Sequence, residues 1–300
     1  MADNILGKID NDDSGKKNMH ILALFGERRS GEGVAKIVSK YLFPKSAKAS
    51  ANFVQVLNNN NDEKIDNNVI IDAFRGDGQN EGEEQSDNDN VTIRFFSISH
   101  DYLLNEIVKI DEDRKNDMIV IGLSGERLLN STIRQYANLK TNPINTKKNI
   151  LSLLSQDESQ IISDLTYIVE NNISNYCVVI DRGLSNVKNV FIPIIRKDDA
   201  ESLRFAYNRL SNKENVQLMI WDAIGAITND QNTSKSYQSL KKFGERVDIW
   251  DDDNKISDDY IKRQDLMIIS VESLKKLLTT QLDWLDDMPS LLIYELQQNV

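Results

Sequence analysis

Two glycine-containing segments are the places in this chain where residue types and spacing could bind an anion. GERRSGEG, from Gly26 to Gly33, follows an apolar run and contains two arginines, and GLSG follows the apolar run MIVI. Glycine lets backbone N–H groups approach a phosphate closely, and a helix that begins after such a turn presents a positive dipole end. Both segments are also typical of plain strand-to-helix turns, in which glycine serves only the backbone. The predicted binding residues are Gly26, Arg28, Gly122, Ser124 and Gly125.

The chain lacks the residue patterns of the common catalytic and metal sites. Its two histidines, His20 and His100, stand at no metal-ligand spacing with Cys, Asp or Glu. No GxSxG, HExxH or GxxxxGK[ST] motif is present. The one cysteine, Cys177, lies in the apolar run Tyr176–Ile180, where a buried and unreactive thiol is expected. We therefore predict a protein without catalytic residues, without a metal site and without enzymatic activity.

Charge and composition exclude several partners. The net charge of −11 argues against nucleic acid or an anionic membrane surface as the main partner. No apolar stretch approaches the ~20 residues that span a bilayer, and residues 1–18 lack the apolar core of a signal peptide. We read residues 1–18 as a leader or linker. The sequence predicts a cytosolic chain that does not itself insert into a membrane, and its 300 residues suffice for two domains.

Short apolar runs alternate with amphipathic segments along the chain, which predicts βαβ units and a mostly parallel sheet. Many of these runs are apolar on both faces, as central strands of parallel sheets are. A polar stretch at about 58–90 is predicted to be a disordered insertion. The predicted strands are Met19–Gly26, Phe53–Leu57, Val91–Ser99, Asp117–Gly122, Tyr176–Asp181, Val190–Ile195, Val216–Trp221, Val247–Trp250, Asp265–Ser270 and Ser290–Leu296.

The two halves of the chain repeat each other locally. NMHILALFG at 18–26 matches KNVFIPIIR at 188–196, NDMIVIG at 116–122 matches QDLMIIS at 264–270, and NYCVVIDR at 175–182 matches SLLIYELQ at 290–297. Arg182 and Gly183 interrupt the apolar pattern between the halves. We therefore predict two tandem domains, 19–184 and 188–300, each with its own sheet of five strands.

The junction between the halves resembles a known family. NNISNYCVVIDRGL, from Asn171 to Leu184, resembles the end of the first universal-stress-protein-like domain of eukaryotic cation/proton exchangers. Val190–Trp221, with an acidic pair before ESLRFA, resembles the opening of their second such domain. The resemblance covers about residues 19–300, and the Asn-rich insertion is similar in style to fungal potassium/proton antiporters.

This resemblance implies both fold and function. The implied fold is two tandem five-stranded, mostly parallel sheets flanked by helices, as in universal stress proteins. The implied function is a cytosolic regulatory or assembly module that biases K⁺/proton exchange by the membrane transport domain of the same parent protein. It also implies a homodimer on the cytoplasmic side of a Golgi or endosomal membrane. Two alternatives stay open: a free-standing nucleotide-binding stress-type protein, and a dimerisation scaffold that binds no ligand.

The chain departs from nucleotide-binding stress proteins at two places. The family's adenine-binding Asp is missing, since Phe25-Gly26 and Ile195-Arg196 stand at the aligned positions. The first half keeps Gly122 and Gly125 of the phosphate motif but has Gln135-Tyr136 where the motif ends, and the second half has Ser270 and Ser273 in place of glycine. The resemblance therefore implies an adenine nucleotide in the first domain only, if in either.

Overall fold

The computed structural model describes residues 19–43, 48–57, 64–75, 91–99, 102, 106, 109–110, 116–124, 175–210, 213, 215–250, 256–278, 280 and 282–295. Several predictions fall outside these residues: the leader at 1–18, His100, Gly125, Gln135-Tyr136, and the parts of the predicted insertion at 58–63 and 76–90. None of the helices within the described ranges is both long enough and apolar enough to span a membrane.

The described strands form one continuous ten-stranded sheet, in the order β3-β2-β1-β4-β5-β10-β9-β6-β7-β8. All neighbours are parallel except β5 and β10, which run antiparallel. The strands are β1 (Met19–Phe25), β2 (Ala49–Leu57), β3 (Val91–Ser99), β4 (Met118–Ser124), β5 (Asn175–Asp181), β6 (Asn189–Ile194), β7 (Gln217–Asp222), β8 (Val247–Ile249), β9 (Leu266–Ser270) and β10 (Ser290–Glu295).

The predicted class, α/β with a mostly parallel sheet flanked by helices, is confirmed, with one correction. The two sets of five strands join into one sheet instead of forming two. In two separate sheets, β5 and β10 would each lie at an edge. In the structure every described side chain on these two strands is buried, which is typical of central strands. Their antiparallel pairing covers both apolar strands and satisfies the backbone groups that two open edges would leave unpaired.

An approximate two-fold axis perpendicular to the sheet relates the halves. The first half has strand order 3-2-1-4-5, and the second half repeats it as β8-β7-β6-β9-β10. Met118 pairs with Asn175 and Leu266 pairs with Ser290, so Asn175 and Ser290 are equivalent. Three residues further on, the equivalent residues Val178 and Ile293 face each other across the junction, and both are fully buried. The axis passes between them.

The helices cover both faces of the sheet. They are α1 (Arg28–Ile37), continued by a π-helical turn (Val38–Leu42), α2 (Asn67–Arg75), α3 (Ala200–Leu210), α4 (Ala226–Asn229), α5 (Gln231–Lys241), α6 (Asp258–Ile261) and α7 (Val271–Leu278), with 3-10 turns at Lys197–Asp199, Gly244–Arg246 and Asp283–Asp287. Apolar residues of α1, α2, α3 and α5 pack in one core, and those of α6, α7 and the 3-10 turn Asp283–Asp287 pack in the other. Helix α2 lies inside the predicted disordered insertion, so that prediction is wrong for residues 67–75, where the apolar residues Ile70 and Phe74 are buried.

Two aspartates fix the start of the central strands in the same way. Asp117, just before β4, accepts a hydrogen bond from the His20 backbone N–H (2.9 Å), and Asp265, just before β9, accepts one from the Asn189 N–H (2.8 Å). His20 and Asn189 are therefore equivalent. The match of 18–26 with 188–196 in the sequence was wrong by one residue, because it set His20 against Val190. The other two sequence matches agree with the strand registers.

Candidate functional site

Each half has one position where the strand order reverses. In open parallel sheets, ligands bind outside the carboxyl ends of the strands at such a position. The first switch point lies between β1 and β4, and the second lies between β6 and β9. The equivalence of the halves allows the two to be compared residue by residue.

Helix α1 sits directly on β4 at the first switch point. A methyl group on Gly122 would overlap the Val34 side chain and lie 2.8 Å from the Ser30 carbonyl oxygen. Gly122 therefore serves close packing of helix on strand. Gly26, at the end of β1, is exposed, and a methyl group there would meet only the Val56 carbonyl oxygen, at 3.9 Å. Of the two glycines, Gly26 has the more open surroundings.

The first turn of α1 is polar but already has partners of its own. The Arg28 guanidinium donates to the Glu32 carboxylate at 2.8 Å on the exposed side of the helix, and this pairing raises the pKa of Arg28. Ser30 is buried, and its hydroxyl accepts the Glu27 backbone N–H at 3.2 Å and donates to the Glu27 carbonyl oxygen at 2.8 Å. Glu27 takes the N-cap position of α1 and forms a capping box with Ser30, so its carboxyl group lies at the start of this helix.

The predicted site residues are brought together only in part. Phe25 pairs with Gly122, and Ser124 pairs with Asp181 at the end of β5. Gly26, Gly122 and the Ser124 backbone therefore all lie at the carboxyl ends of the parallel strands. Arg28 is close in the chain, but its charge is paired with Glu32. Gly125 lies outside the described residues.

A buried carboxylate occupies the second switch point. Asp199 is fully buried, and its Oδ2 accepts the backbone N–H groups of Ile195 and Arg196, both at 2.8 Å. The hydroxyls of Ser270 and Ser273 donate to the same carboxylate at 2.7 Å. These donors come from the end of β6, the end of β9 and the start of α7. Asp199 therefore ties together all the elements that meet there.

A second polar contact lies beside Asp199. The hydroxyls of Ser202 on α3 and Tyr294 on β10 are 2.7 Å apart and buried. Burial raises the pKa of Tyr294 because it disfavours the phenolate. The phenol therefore stays protonated and keeps this hydrogen bond at physiological pH.

The equivalence of the halves pairs Ser30 with Asp199. Each lies ten residues after the equivalent residues His20 and Asn189, and each takes the third position of its helical turn. Each also accepts the backbone N–H of the residue three before it. Ser30 has no carboxylate, so the first switch point lacks the group that Asp199 places in the second. Gly122 likewise takes the place of Ser270 in the first half.

The turn Asp181–Leu184 connects the first switch point to the second half. Asp181 Oδ1 accepts the N–H groups of Gly183 (2.7 Å) and Leu184 (2.6 Å), and a methyl group on Gly33 of α1 would lie 2.8 Å from this carboxylate. Gly183 has φ 113°, a conformation that favours glycine. Arg182 donates its backbone N–H to the Ser290 hydroxyl at 3.0 Å and its guanidinium to the Met288 carbonyl oxygen. This one turn therefore contacts both α1 and the second half.

Sequence reasoning missed Ser30 and Asp199 as a pair. Asp198 and Asp199 form the acidic pair before ESLRFA, but only Asp198 is exposed, beside Arg196, whose hydrogen bond lowers the pKa of Asp198. Sequence matching that was wrong by one residue hid the pairing of Ser30 with Asp199. Moving that match by one residue would have revealed it.

Comparisons with known proteins give distant structural likenesses. No protein-family model matches the chain, and none of the curated proteins matches it in sequence. A universal stress protein from Archaeoglobus fulgidus is similar in structure, with a TM-score of 0.40 and 9% identity, covering 91% of this chain and 95% of that one. A functionally unknown protein from Pseudomonas aeruginosa has a TM-score of 0.33 and 9% identity, with 91% of each chain covered.

A UDP-GlcNAc 2-epimerase from Neisseria meningitidis, bound to UDP-GlcNAc, has a TM-score of 0.23 and 11% identity, covering 83% of this chain and 77% of that one. Likenesses at these TM-scores are too distant to define function. The strand order and the side chains define the class: an α/β protein whose two halves repeat one doubly wound arrangement.

Proposed function

We propose that this chain is a non-catalytic regulatory module whose first half takes an adenine nucleotide at the first switch point. The supporting observation is the contrast between Ser30 and Asp199. The second half already holds an anionic group at its switch point, bound by two backbone N–H groups and two hydroxyls. The first half has no such internal carboxylate at the equivalent position, so an external phosphate is the matching occupant.

In this proposal the module regulates the membrane transport domain of a monovalent cation (K⁺)/proton antiporter. That domain lies in a Golgi or endosomal membrane. The support for it is the sequence resemblance at 171–184 and 190–221. A regulatory ligand has to bind two states of the parent protein with different affinity. The turn Asp181–Leu184 offers a contact path, since it touches α1 on one side and the start of β10 on the other.

Calorimetric titration of AMP, ADP and ATP into the full chain tests the ligand proposal. We expect saturable binding that Ser30→Asp weakens by at least about tenfold, because the new carboxylate repels phosphate in the position that Asp199 takes in the second half. An Asp in the first helical turn suits the helix dipole, so the variant should fold. Ser185→Asp adds the same charge at an exposed position and should bind as the wild type does.

Arg28→Ala separates two versions of the site. Because Arg28 is paired with Glu32 on the exposed side of α1, we expect nucleotide affinity to change little. If affinity instead falls about tenfold, Arg28 leaves Glu32 to bind the ligand. Failure of all three nucleotides to bind at millimolar concentration would reject the proposed ligand and favour the scaffold alternative.

The transport proposal needs a separate experiment with the parent protein. We expect deletion of the part corresponding to 19–300 to alter the pH or K⁺ dependence of exchange in vesicles while the membrane domain still assembles. Unchanged exchange would reject regulation. A coding sequence without membrane-spanning helices next to this segment would reject the antiporter parent and favour a free-standing nucleotide-binding protein. The proposed homodimer has to use a surface other than the β5–β10 junction, where the two strands already pair.

A further inference from the structure

The carboxylate of Asp199 has the surroundings of a bound anion. It is fully buried, and donors approach both of its oxygens. The backbone N–H groups of Ile195 and Arg196 can act only as donors, so this position requires an acceptor group. Such convergent N–H and hydroxyl donors are what oxyanions bind in proteins.

The position of this carboxylate is fixed from several directions. Ser270 ends β9 and Ser273 lies in the first turn of α7, where its backbone N–H donates to the Ser270 hydroxyl at 3.2 Å. The Lys276 ammonium donates to the Ile195 carbonyl oxygen at 3.0 Å and holds α7 against the end of β6. Removal of the carboxylate would therefore leave donors from two strands and one helix facing the same space.

We infer that Asp199 is an intramolecular occupant of the second switch point, and that this one residue closes the second half to external oxyanions. The equivalent residue in the first half, Ser30, lacks the carboxylate. The identity of the residue at this helical position thus decides whether a half holds its own anion. The comparison with the first half rests on the proposed function, but the closure of the second half rests on the contacts of Asp199 alone.

The test is Asp199→Ser in the full chain, with inorganic phosphate as the probe and sodium chloride at equal ionic strength as the reference. We expect the melting temperature to fall by about 8 °C because buried donors lose their acceptor. Phosphate at tens of millimolar should restore at least half of this loss in a saturable way. Its effect on the wild type should be smaller by several degrees.

Asp222→Ser is the matched control. Asp222 is also a buried carboxylate of the second half, and it accepts the N–H groups of Ala226 (2.8 Å) and Ile227 (2.7 Å) at the start of α4, a four-residue helix. This variant should lose stability without regaining it in phosphate. Asp199→Asn keeps the space filled, so it should also show no recovery beyond that of the wild type.

A loss in Asp199→Ser that phosphate does not reverse would overturn the inference and leave Asp199 as a structural cap. Equal recovery in Asp222→Ser would overturn it as well, since phosphate would then stabilise the protein generally. If Asp199→Ser does not fold on its own, refolding from urea with and without phosphate decides the matter by the recovered yield. Adenine nucleotide binding by the first half is a separate readout, so failure of the proposed function is recognised independently.

Discussion

The first helix of each half is placed on its strands by different means. In the first half, glycine brings α1 against the sheet, because Gly122 and Gly33 leave no room for a side chain beneath the helix. In the second half, the turn before α3 is held by the hydrogen bonds that Asp199 accepts from Ile195 and Ser270, and α3 is held by the hydrogen bond between Ser202 and Tyr294. One arrangement depends on a close approach that only glycine allows, and the other on buried polar groups.

This difference teaches that the strand order and the switch-point chemistry are set by separate residues. The order 3-2-1-4-5 is the same in both halves, and both have apolar central strands. The residues at the carboxyl ends differ in nearly every equivalent pair, including Gly122 with Ser270 and Ser30 with Asp199. A half can therefore keep its fold while its site changes.

The largest expected effect comes from breaking the junction that joins the halves. Ile293→Asp places a carboxylate at the centre of the β5–β10 pairing, where the native side chain is 0% exposed. We expect the melting temperature to fall by at least ~10 °C, since an unpaired buried charge costs several kcal/mol. Differential scanning calorimetry measures the loss and shows whether the halves then melt separately.

Ile249→Asp is the control for this substitution, because Ile249 is a strand residue that is 42% exposed. Its melting temperature should stay within about 2 °C of the wild type. Similar small losses in both variants would contradict a junction that matters for stability.

A smaller effect distinguishes the two glycines of the first switch point. Gly122→Ala forces its methyl group against Val34 and the Ser30 carbonyl oxygen, so we expect a loss of about 1–3 kcal/mol in the free energy of unfolding. Gly26→Ala meets no atom closer than 3.9 Å and should leave stability nearly unchanged. Urea denaturation measures both. Equal tolerance of the two substitutions would show that α1 does not lie as close to β4 as described.

The smallest effect concerns the polar contacts of the second half. Tyr294→Phe removes the hydrogen bond with Ser202 and should cost about 1 kcal/mol by urea denaturation. Cys177, which pairs with Tyr294 across the junction, gives a local readout. Burial raises the pKa of its thiol to about 12, so at pH 8 the native thiol should react with a thiol reagent only when the junction opens.

We expect Tyr294→Phe to speed this labelling a fewfold, because a loss of about 1 kcal/mol raises the opening equilibrium severalfold. The control is Tyr207→Phe, at a half-buried tyrosine of α3 that packs against Phe243. Fast labelling of the wild-type thiol would contradict the buried junction altogether.

The sequence predicted the strands well because their apolar runs are short and bounded by polar residues. All ten predicted strands are present, and β3 has the predicted bounds Val91–Ser99. The error was to divide them between two sheets. A signal against that division was available: YCVVID and SLLIYEL are apolar on both faces, which suits central strands and not the edges that separate sheets would require. Which two edge strands pair with each other depends on contacts between residues far apart in the chain, and local sequence patterns do not predict such contacts.

The candidate site was less accessible to prediction. Glycine at 26 and 122 could be read as a binding feature or as a turn, and only the positions of Val34 and Ser30 show that Gly122 serves packing. The role of Asp199 depends on Ser270 and Ser273, which lie more than seventy residues away along the chain. Such convergence depends on the tertiary structure, so composition and spacing could not identify it.

The pairing of β5 with β10 joins the two similar halves within one chain. In an association of identical chains, every substitution appears in both partners at once, and the contact dissolves on dilution. Here the two equivalent positions of the junction can hold different residues, as Val178 and Ile293 show. Because both halves belong to one chain, they stay together at any concentration. Each copy can therefore change without imposing the same change on the other, and one of them is free to become a rigid support for its neighbour.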